Sequence, residues 1–256
     1  MKLRDLLTQI KQIEKSINSS PVYICGGAAR DRYMGQLEKI DDLDLTTGDK
    51  TVDILSQKLL ESLQDKYKVF RKVMPDGHST VFIGNLRVDF SSNYNAPNID
   101  KILKSMGINN PSNMKKETFS RDFTCNALLM DFNLTTLIDP TNKGFKDIKE
   151  KKIRACISPE ITFIDKEKRI FRAIYLACKL GFTVDESIIN FVKNNIDKLN
   201  FSNVRPSFIK EKINVAFAYN PEKASELLTK MNLWDKIPVT EKIYPYYLKH
   251  IKSANG

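Results

Sequence analysis

The spacing of apolar positions predicts alternating helices and strands in the first part of the chain. Leu6, Ile10 and Ile13 fall on one helical stripe, because residues three and four apart share a helix face. The pair Gly84-Asn85 between two apolar runs is typical of a β-hairpin turn. The predicted elements are a helix over 3–16, a strand over 22–25, a helix over 28–34, a strand over 42–46, a helix over 51–64 and hairpin strands over 80–83 and 86–91.

The second part of the chain is predicted to be helical. Before it, residues 92–116 are rich in Asn, Ser, Pro and Lys, and we interpret them as a mobile excursion or lid with one weak helix at 99–105. The later helices are predicted over 163–180, 185–196, 206–219 and 221–231, with Pro206 and Pro221 at helix starts. The pattern therefore predicts an α+β fold class, with a mixed-sheet head over 1–154 and an all-helical domain over 155–256.

Composition narrows the class of protein. Of the 256 residues, 41% are hydrophobic and 28% are charged, as in an ordinary globular protein with a core. No apolar run approaches the ~20 residues of a membrane span, and the charged N-terminus lacks the apolar region of a signal peptide. We expect a cytoplasmic protein without a membrane segment. The scattered four cysteines and two histidines form no zinc pattern, which predicts reduced, mostly buried thiols.

Positive charge is concentrated in the second part of the chain. The chain carries a formal net charge of +10, and counting along the sequence gives +2 for residues 1–150 and +8 for residues 151–256. A basic second part attracts polyanions, of which RNA and DNA are the first candidates. The alternative is a lysine-rich surface that is simply solvated.

Two aspartates in the predicted strand over 42–46 suggest a metal site. Asp42 and Asp44 project from the same face, because side chains alternate along a strand. Neighbouring carboxylates repel each other unless a cation neutralises them, and Mg²⁺ prefers oxygen ligands. Asp89, on a strand that we expect nearby, is a candidate third carboxylate for two-metal phosphoryl transfer. The alternative is an ordinary turn or helix cap.

The glycine pair Gly26-Gly27 is a candidate phosphate-binding turn. It ends a predicted strand and opens a predicted helix, so its backbone N–H groups lie at the positive end of that helix. Arg30 follows in the first turn and is a candidate second phosphate donor. A plain tight turn is the alternative for a glycine pair taken alone.

Together these residues resemble the class II tRNA nucleotidyltransferase (CCA-adding enzyme) and bacterial poly(A) polymerase family. The runs Cys25–Asp31 and Asp42–Thr47 are similar to the head motif of that family. Arg121–Leu128 resembles its R-D-F-T-x-N-A segment, and Asp139–Ile148 resembles its D-P-x-x-G-x-x-D segment. The four motifs occur in the order of the family, and the resemblance covers residues 20–235.

The resemblance implies a polymerase-β-like nucleotidyltransferase head followed by a helical neck that reads the incoming base. The implied reaction is attack of an RNA 3′-hydroxyl, first of all that of a tRNA, on the α-phosphate of ATP or CTP. Mg²⁺ is the implied cofactor, with Mn²⁺ as a substitute. The implied site residues are the catalytic Asp42, Asp44 and Asp89, with Asp42 and Asp44 as metal ligands, and the nucleotide-binding Gly26, Gly27, Arg30 and Arg121.

The base-reading motif of the neck departs from the family pattern. The family reads E-D-P-x-R-x-x-R-x-x-R, and Arg169 and Arg172 match two of its arginines. Lys166 replaces the aspartate, and Tyr175 replaces the last arginine. Lysine only donates hydrogen bonds, so it cannot accept from the amino groups of cytosine and adenine. Three interpretations stay open: Asp165 substitutes, the nucleotide preference differs or is relaxed, or catalysis is weakened or lost.

The chain is also short for this resemblance, since the family usually extends through helical body and tail domains. We expect a smaller grip on the RNA, a partner protein that replaces the tail, or a different RNA. The leading interpretation is CCA addition or repair on tRNA. Poly(A) polymerase is the near alternative, and a non-catalytic RNA- or nucleotide-binding subunit is the alternative of another class.

Overall fold

Short strands build a mixed sheet in the first part of the chain. The computed structural model describes residues 2–36 and 42–254. The strands of the large sheet are β1 (Tyr23–Cys25), β2 (Asp42–Thr46), β3 (Val69–Val73), β4 (Ser79–Ile83), β5 (Leu86–Phe90), β6 (Leu129–Met130) and β7 (Leu137–Ile138). Their order is β3-β4-β5-β2-β1-β6-β7. Among the described strands of this sheet, only β2 and β5 pair in parallel. Strand β2 lies at the centre of the sheet, between β1 and β5.

Helices connect and flank the strands of this sheet. They are α1 (Leu3–Ser16), α2 (Gly27–Tyr33), α3 (Thr51–Leu63), α4 (Ile99–Ser105), α5 (Asn113–Phe119) and α6 (Gly144–Lys149). Helix α3 packs against β3, β4 and β5. Arg71 on β3 links the sheet to α3. Its Nε donates to Oγ of Ser56 at 2.8 Å, and its Nη1 donates to Oε1 of Gln57 at 3.2 Å. Its guanidinium also forms an ion pair with Asp53.

The chain divides into two compact units, residues 1–148 and 149–256. The division falls before the predicted boundary at residue 154. The reason is a short strand, β8 (Lys152–Ile153), which pairs in parallel with β9 (Thr183–Val184) and so joins the second unit.

Apart from that β pair, the second unit is helical. Its helices are α7 (Pro159–Phe163), α8 (Lys168–Leu180), α9 (Glu186–Asn194), α10 (Pro206–Tyr219), α11 (Pro221–Lys230) and α12 (Tyr244–Ala254). Helices α8 and α10 pack along each other, and Phe171, Ile174 and Ile213 are fully buried there. No helix within residues 2–36 and 42–254 has the length and apolar character needed to cross a bilayer.

The α+β class is confirmed, and the predicted bounds of α1, β2 and α10 agree with the structure. The helix predicted over 163–180 ends as expected, but its predicted start is wrong. Helix α8 begins at Lys168, and Phe163 is the last residue of the separate helix α7, because Asp165 between them adopts a left-handed backbone conformation with φ +59°. The segment 92–116 contains the expected α4, and it also contains most of α5, which was not predicted.

Candidate active site

Three aspartates lie side by side on one face of the large sheet. Asp42 and Asp44 share a face of β2, while Leu43 between them is fully buried on the opposite face. Asp89 on β5 is the register partner of Asp44, so its side chain belongs to the same face. Asp42 is exposed, and Asp44 and Asp89 are half-buried. The strand placement expected for these three residues is therefore confirmed, and their roles remain proposals.

The turn after β1 is shaped by the carboxylate of Asp44. Gly26 adopts φ +72° and ψ −138°, a conformation that residues with a side chain rarely occupy. A Cβ atom at this position would lie 2.5 Å from Oδ2 of Asp44. Glycine at position 26 thus leaves room for the Asp44 carboxylate, and α2 begins at the next residue, Gly27.

The carboxylate of Asp89 is engaged by two neighbouring side chains, Thr80 and Arg87. Oδ1 accepts hydrogen bonds from Oγ1 of Thr80 at 2.6 Å and from Nε of Arg87 at 3.1 Å. Nη2 of Arg87 lies 2.9 Å from Oδ2. A guanidinium that holds both carboxylate oxygens competes with a metal for them.

The residues present fit a divalent cation at the pair Asp42 and Asp44. Both offer hard carboxylate oxygens, and the Asp44 carboxylate occupies the space that a side chain at Gly26 would fill. Among the described residues, no group of three or more His, Cys, Asp or Glu side chains is arranged to hold a metal. The structure thus brings Asp89 next to Asp44 but does not present it as a free third ligand, because Arg87 pairs with it.

Arg30 does not extend from α2 as a free phosphate donor, contrary to the expectation from sequence. It is only 4% exposed. Its Nη1 donates to Oδ1 of Asn126 at 2.6 Å, and its Nε donates to Oδ1 of Asp31 at 2.8 Å. The buried guanidinium group of Arg30 thus links α2 to the turn around Asn126. Arg30 therefore holds the glycine turn in place from inside the protein.

Arg121 is likewise buried beside the sheet. Its Nη2 lies 2.8 Å from Sγ of Cys25, 2.7 Å from Oγ of Ser91 and 2.9 Å from Oε1 of Glu117. Burial opposes the charged form of Arg121, but the neighbouring Cys25, Glu117 and Asp44 outweigh it and raise the Arg121 pKa. Burial also raises the pKa of the Cys25 thiol to about 12. A permanent positive charge thus stands close to the β2 carboxylates.

Glu117 is a central residue that the sequence reasoning missed. It is fully buried. Besides Arg121, its carboxylate accepts hydrogen bonds from Oγ of Ser91 at 3.0 Å, Nδ2 of Asn93 at 3.0 Å and the backbone N–H of Tyr94 at 2.8 Å. The only signal in the sequence is the spacing of four residues between Glu117 and Arg121, which is typical of an ion pair on a helix face. In the structure, α5 ends at Phe119, so Arg121 reaches Glu117 from just beyond the helix. Glu117 ties the start of the segment 92–116 to the sheet.

The motifs Arg121–Leu128 and Asp139–Ile148 contact each other directly. Oγ1 of Thr124 donates to Oδ2 of the buried Asp147 at 2.7 Å. A Cβ atom at Gly144 would lie 2.7 Å from the carbonyl oxygen of Thr124, so only glycine permits this approach. Asp139 closes the loop by accepting a hydrogen bond from the backbone N–H of Phe145 at 3.1 Å. These motifs therefore build the frame of the head.

The residues of the altered base-reading motif lie at the start of α8. Asp165 is exposed in its left-handed turn, and Lys166 is half-buried. Burial, together with the charges of Arg169 and Lys168, lowers the Lys166 pKa, and the charge of Asp165 partly offsets this. Arg169 and Arg172 stand one helical turn apart on α8, and both are half-buried.

The turn before α8 is fixed by a buried carboxylate. Glu167 is only 2% exposed, and its Oε1 accepts a hydrogen bond from the backbone N–H of Asn200 at 3.0 Å. Nη1 of Arg169 lies 3.5 Å from the carbonyl oxygen of Thr162. The backbone here is anchored by these contacts, whereas the side chain of Asp165 is exposed and that of Lys166 is half-buried.

Comparison with known proteins agrees with this arrangement. Residues 22–154 match the model of a family described as the poly A polymerase head domain. An A-adding tRNA nucleotidyltransferase from Geobacter sulfurreducens is 28% identical over 186 residues, which are 69% of this chain and 19% of that protein. A CCA-adding enzyme from Staphylococcus epidermidis is 26% identical over 243 residues, which are 91% of this chain and 56% of that protein.

Solved structures show the same likeness. A tRNA nucleotidyltransferase complexed with a primer tRNA and an incoming ATP analog has a TM-score of 0.60 and 26% identity, covering 91% of this chain and 62% of that one. The chain thus spans less than two thirds of each of these similar proteins.

Proposed function

Because the chain belongs to the family of the poly(A) polymerase head domain, we propose that it is a template-independent nucleotidyltransferase acting on RNA 3′ ends. One observation carries the proposal. Asp42 and Asp44 share an open face of β2, and Gly26 gives the Asp44 carboxylate its space. A strand that ends in a glycine turn beside paired carboxylates suits a reaction in which a triphosphate must be held and polarised.

The proposed reaction forms one bond and breaks one. The 3′-oxygen of the RNA attacks the α-phosphorus of a nucleoside triphosphate, and the bond from this phosphorus to its bridging oxygen breaks, which releases pyrophosphate. Asp42 and Asp44 would hold Mg²⁺, or Mn²⁺ in its place. Two bound metal ions would activate the attacking hydroxyl and stabilise the charge on the phosphates.

The remaining head residues prepare the site for the triphosphate. The backbone N–H groups at Gly26 and Gly27 are the proposed phosphate contacts, since glycine permits close approach. Arg30 and Arg121 act from inside: Arg30 holds the turn through Asn126, and Arg121 supplies a buried positive charge near Asp44. Asp89 is proposed to support Asp44 as its neighbour in register.

We propose a tRNA 3′ end as the RNA, and ATP and CTP as the nucleotides, with CCA addition or repair as the reaction. The names of the similar proteins support this choice, and one of them adds A alone. Arg169, Arg172 and the altered pair Asp165 and Lys166 are the proposed base-reading residues. Because lysine cannot accept from the amino groups of adenine and cytosine, the preference between nucleotides is expected to be weaker than an aspartate would give.

An incorporation assay tests the proposal. The purified chain would be given Mg²⁺, each labelled nucleoside triphosphate singly and in mixtures, and tRNAs that end before, within and after CCA. An unstructured RNA would be included alongside. We expect addition that stops at CCA, and we expect the double variant Asp42→Ala/Asp44→Ala to add nothing.

The other outcomes separate the alternatives. Addition of a single A to tRNA ending in CC would assign an A-adding enzyme. Long A tails on any RNA would assign a poly(A) polymerase. RNA binding with no metal-dependent incorporation would contradict the proposal and favour a binding subunit.

A further inference from the structure

The face of the sheet that carries the aspartates extends across three further strands. Residues that are register partners on neighbouring strands point to the same side of a sheet. From β2 through β5 and β4 to β3, the partners form two rows, Asp42–Arg87–Phe82–Phe70 and Asp44–Asp89–Thr80–Lys72. The carboxylates thus lie at one end of a continuous surface, and two aromatic rings and a lysine lie at the other.

The opposite face of these strands is closed. Val81 and Val88 are fully buried there, and Arg71 bonds to side chains of α3. Phe70, by contrast, is 57% exposed on the aspartate side. It lies parallel to Phe82, with ring centroids 4.4 Å apart and 12° between the ring planes. The fold thus leaves Phe70 exposed and stacked on the half-buried Phe82, on the same face as the candidate active-site carboxylates.

Basic side chains accompany the aromatic pair. Lys72 is exposed, and it is two residues from Phe70 on β3, so it points to the same side. Arg87 is register partner to both Phe82 and Asp42, and its guanidinium pairs with Asp89. Lys72 therefore supplies an exposed positive charge beside the rings, at the end of the surface away from Asp42 and Asp44, while Arg87 lies between Phe82 and Asp42. An aromatic pair beside a basic side chain suits a single-stranded nucleic acid, whose bases stack while its phosphates attract cations.

We propose that Phe70, Phe82 and Lys72 form a stacking platform for the single-stranded 3′-terminal nucleotides of the RNA that the chain extends. This inference rests on the proposed function, because it assigns the path of the RNA that enters the same site. Neighbouring strands lie about 4.8 Å apart, which puts Phe82 roughly 10 Å and Phe70 roughly 14 Å from Asp42 across the sheet. That distance suits bases a few nucleotides upstream of the reacting hydroxyl. Stacking tolerates any base, so the platform holds the strand without reading it.

A fluorescence experiment tests the platform directly. The probe is a hairpin RNA with a single-stranded 3′ overhang that contains 2-aminopurine, whose fluorescence falls when it stacks. We expect Phe70→Ala to raise the Kd for this RNA about tenfold and to remove the quenching. Phe70→Trp should keep the Kd and the quenching of the unaltered chain, because the larger ring also stacks. The matched control is Ile54→Ala, which removes another exposed apolar side chain (44% exposed) from α3 and leaves both values unchanged.

A second variant tests the charge. Lys72→Ala is expected to lower the slope of log Kd against log salt concentration by about one, because one phosphate contact is lost. The control is Lys11→Ala, which removes an exposed lysine of α1 and should leave the slope unchanged.

Binding is measured without nucleotide, so the platform and the proposed reaction fail separately. Quenching that depends on Phe70 without any incorporation would keep the platform and overturn the transferase. Incorporation together with unchanged binding and quenching in Phe70→Ala would overturn the platform alone. A dimer of the chain that dissociates on Phe70→Ala, with RNA binding intact, would also overturn the platform and make this face a protein interface.

Discussion

The two units hold their candidate site residues in different ways. In the first unit, the site residues lie on a strand and a turn that are packed into the protein. There is no space for a side chain at Gly26 beside Asp44, and Leu43 of β2 is fully buried in the core. In the second unit, Asp165 and Lys166 lie at a turn before α8, and the nearby anchor is the buried Glu167. The residue at position 166 can therefore change without disturbing the fold, whereas the left-handed conformation at position 165 favours Asp, Asn or Gly.

This difference separates two kinds of change. Substitutions that move the Asp44 carboxylate should remove the chemistry, because this carboxylate is a proposed ligand of the metal. Substitutions at Lys166 should change which nucleotide is used and leave the chemistry in place.

Gly26→Ala should have the largest effect. The added Cβ atom would lie 2.5 Å from Oδ2 of Asp44 and displace it. A displacement of about 1 Å in a reacting group lowers a rate by about a hundredfold, so we expect a loss of that size in single-turnover incorporation. Gly35→Ala is the control, since it has a similar φ of +71° but no heavy atom within 4 Å of the added Cβ. Equal rates for the two variants would show that Asp44 does not need this space.

Glu117→Gln should destabilise the first unit by about 2–3 kcal/mol, because it leaves the buried Arg121 without its partner charge. Chemical denaturation monitored by circular dichroism measures the change. The control Glu61→Gln removes a carboxylate that is 42% exposed and should change stability by less than about 0.5 kcal/mol. A similar effect of both variants would mean that the buried network contributes nothing to stability.

Lys166→Asp should shift nucleotide use toward CTP and ATP by about tenfold relative to GTP and UTP, because an aspartate accepts from their amino groups. The ratio of kcat/KM values for the four nucleotides measures this. Lys168→Asp makes the same charge change at an exposed position on α8 and should leave the ratio unchanged. If Lys166→Asp leaves it unchanged too, Lys166 does not read the base.

Thiol labelling should show the smallest difference between the units. All four cysteines are buried, as their composition and spacing predicted. Burial raises the pKa of Cys25 and Cys125 to about 12 and that of Cys178 to about 11. Because only thiolates react, labelling at pH 8 should be slow, should rise with pH, and should reach Cys178 about ten times faster than the two head thiols. Peptide mapping after iodoacetamide treatment measures the order, and faster labelling of Cys25 would contradict it.

The sequence predicted the elements whose patterns are local. The alternation Asp42-Leu43-Asp44 predicted β2, and the turn at Gly84 predicted the hairpin of β4 and β5. Strand β3 was missed because Arg71 and Lys72 interrupt the alternation expected of a buried strand. The break at Asp165 was missed because the apolar spacing continues across it.

The direction of the buried arginines could not be predicted. From the sequence, Arg30 was a candidate phosphate donor, and the family resemblance implied that Arg121 contacts the nucleotide. In the structure, the Arg30 guanidinium donates to Asn126, 96 residues away, and that of Arg121 donates to Glu117, four residues before it. The choice between solvent and a buried partner depends on tertiary contacts that the sequence pattern does not contain.

The most direct test of this account measures Mn²⁺ binding by electron paramagnetic resonance, with a non-hydrolysable ATP analogue present. The chain would be compared with Asp44→Asn and with the control Asp65→Asn, whose exposed carboxylate lies in the turn after α3. The account predicts that Asp44→Asn loses bound Mn²⁺ and that Asp65→Asn binds like the unaltered chain. Equal Mn²⁺ binding by all three proteins would contradict the assignment of β2 as the metal-binding strand.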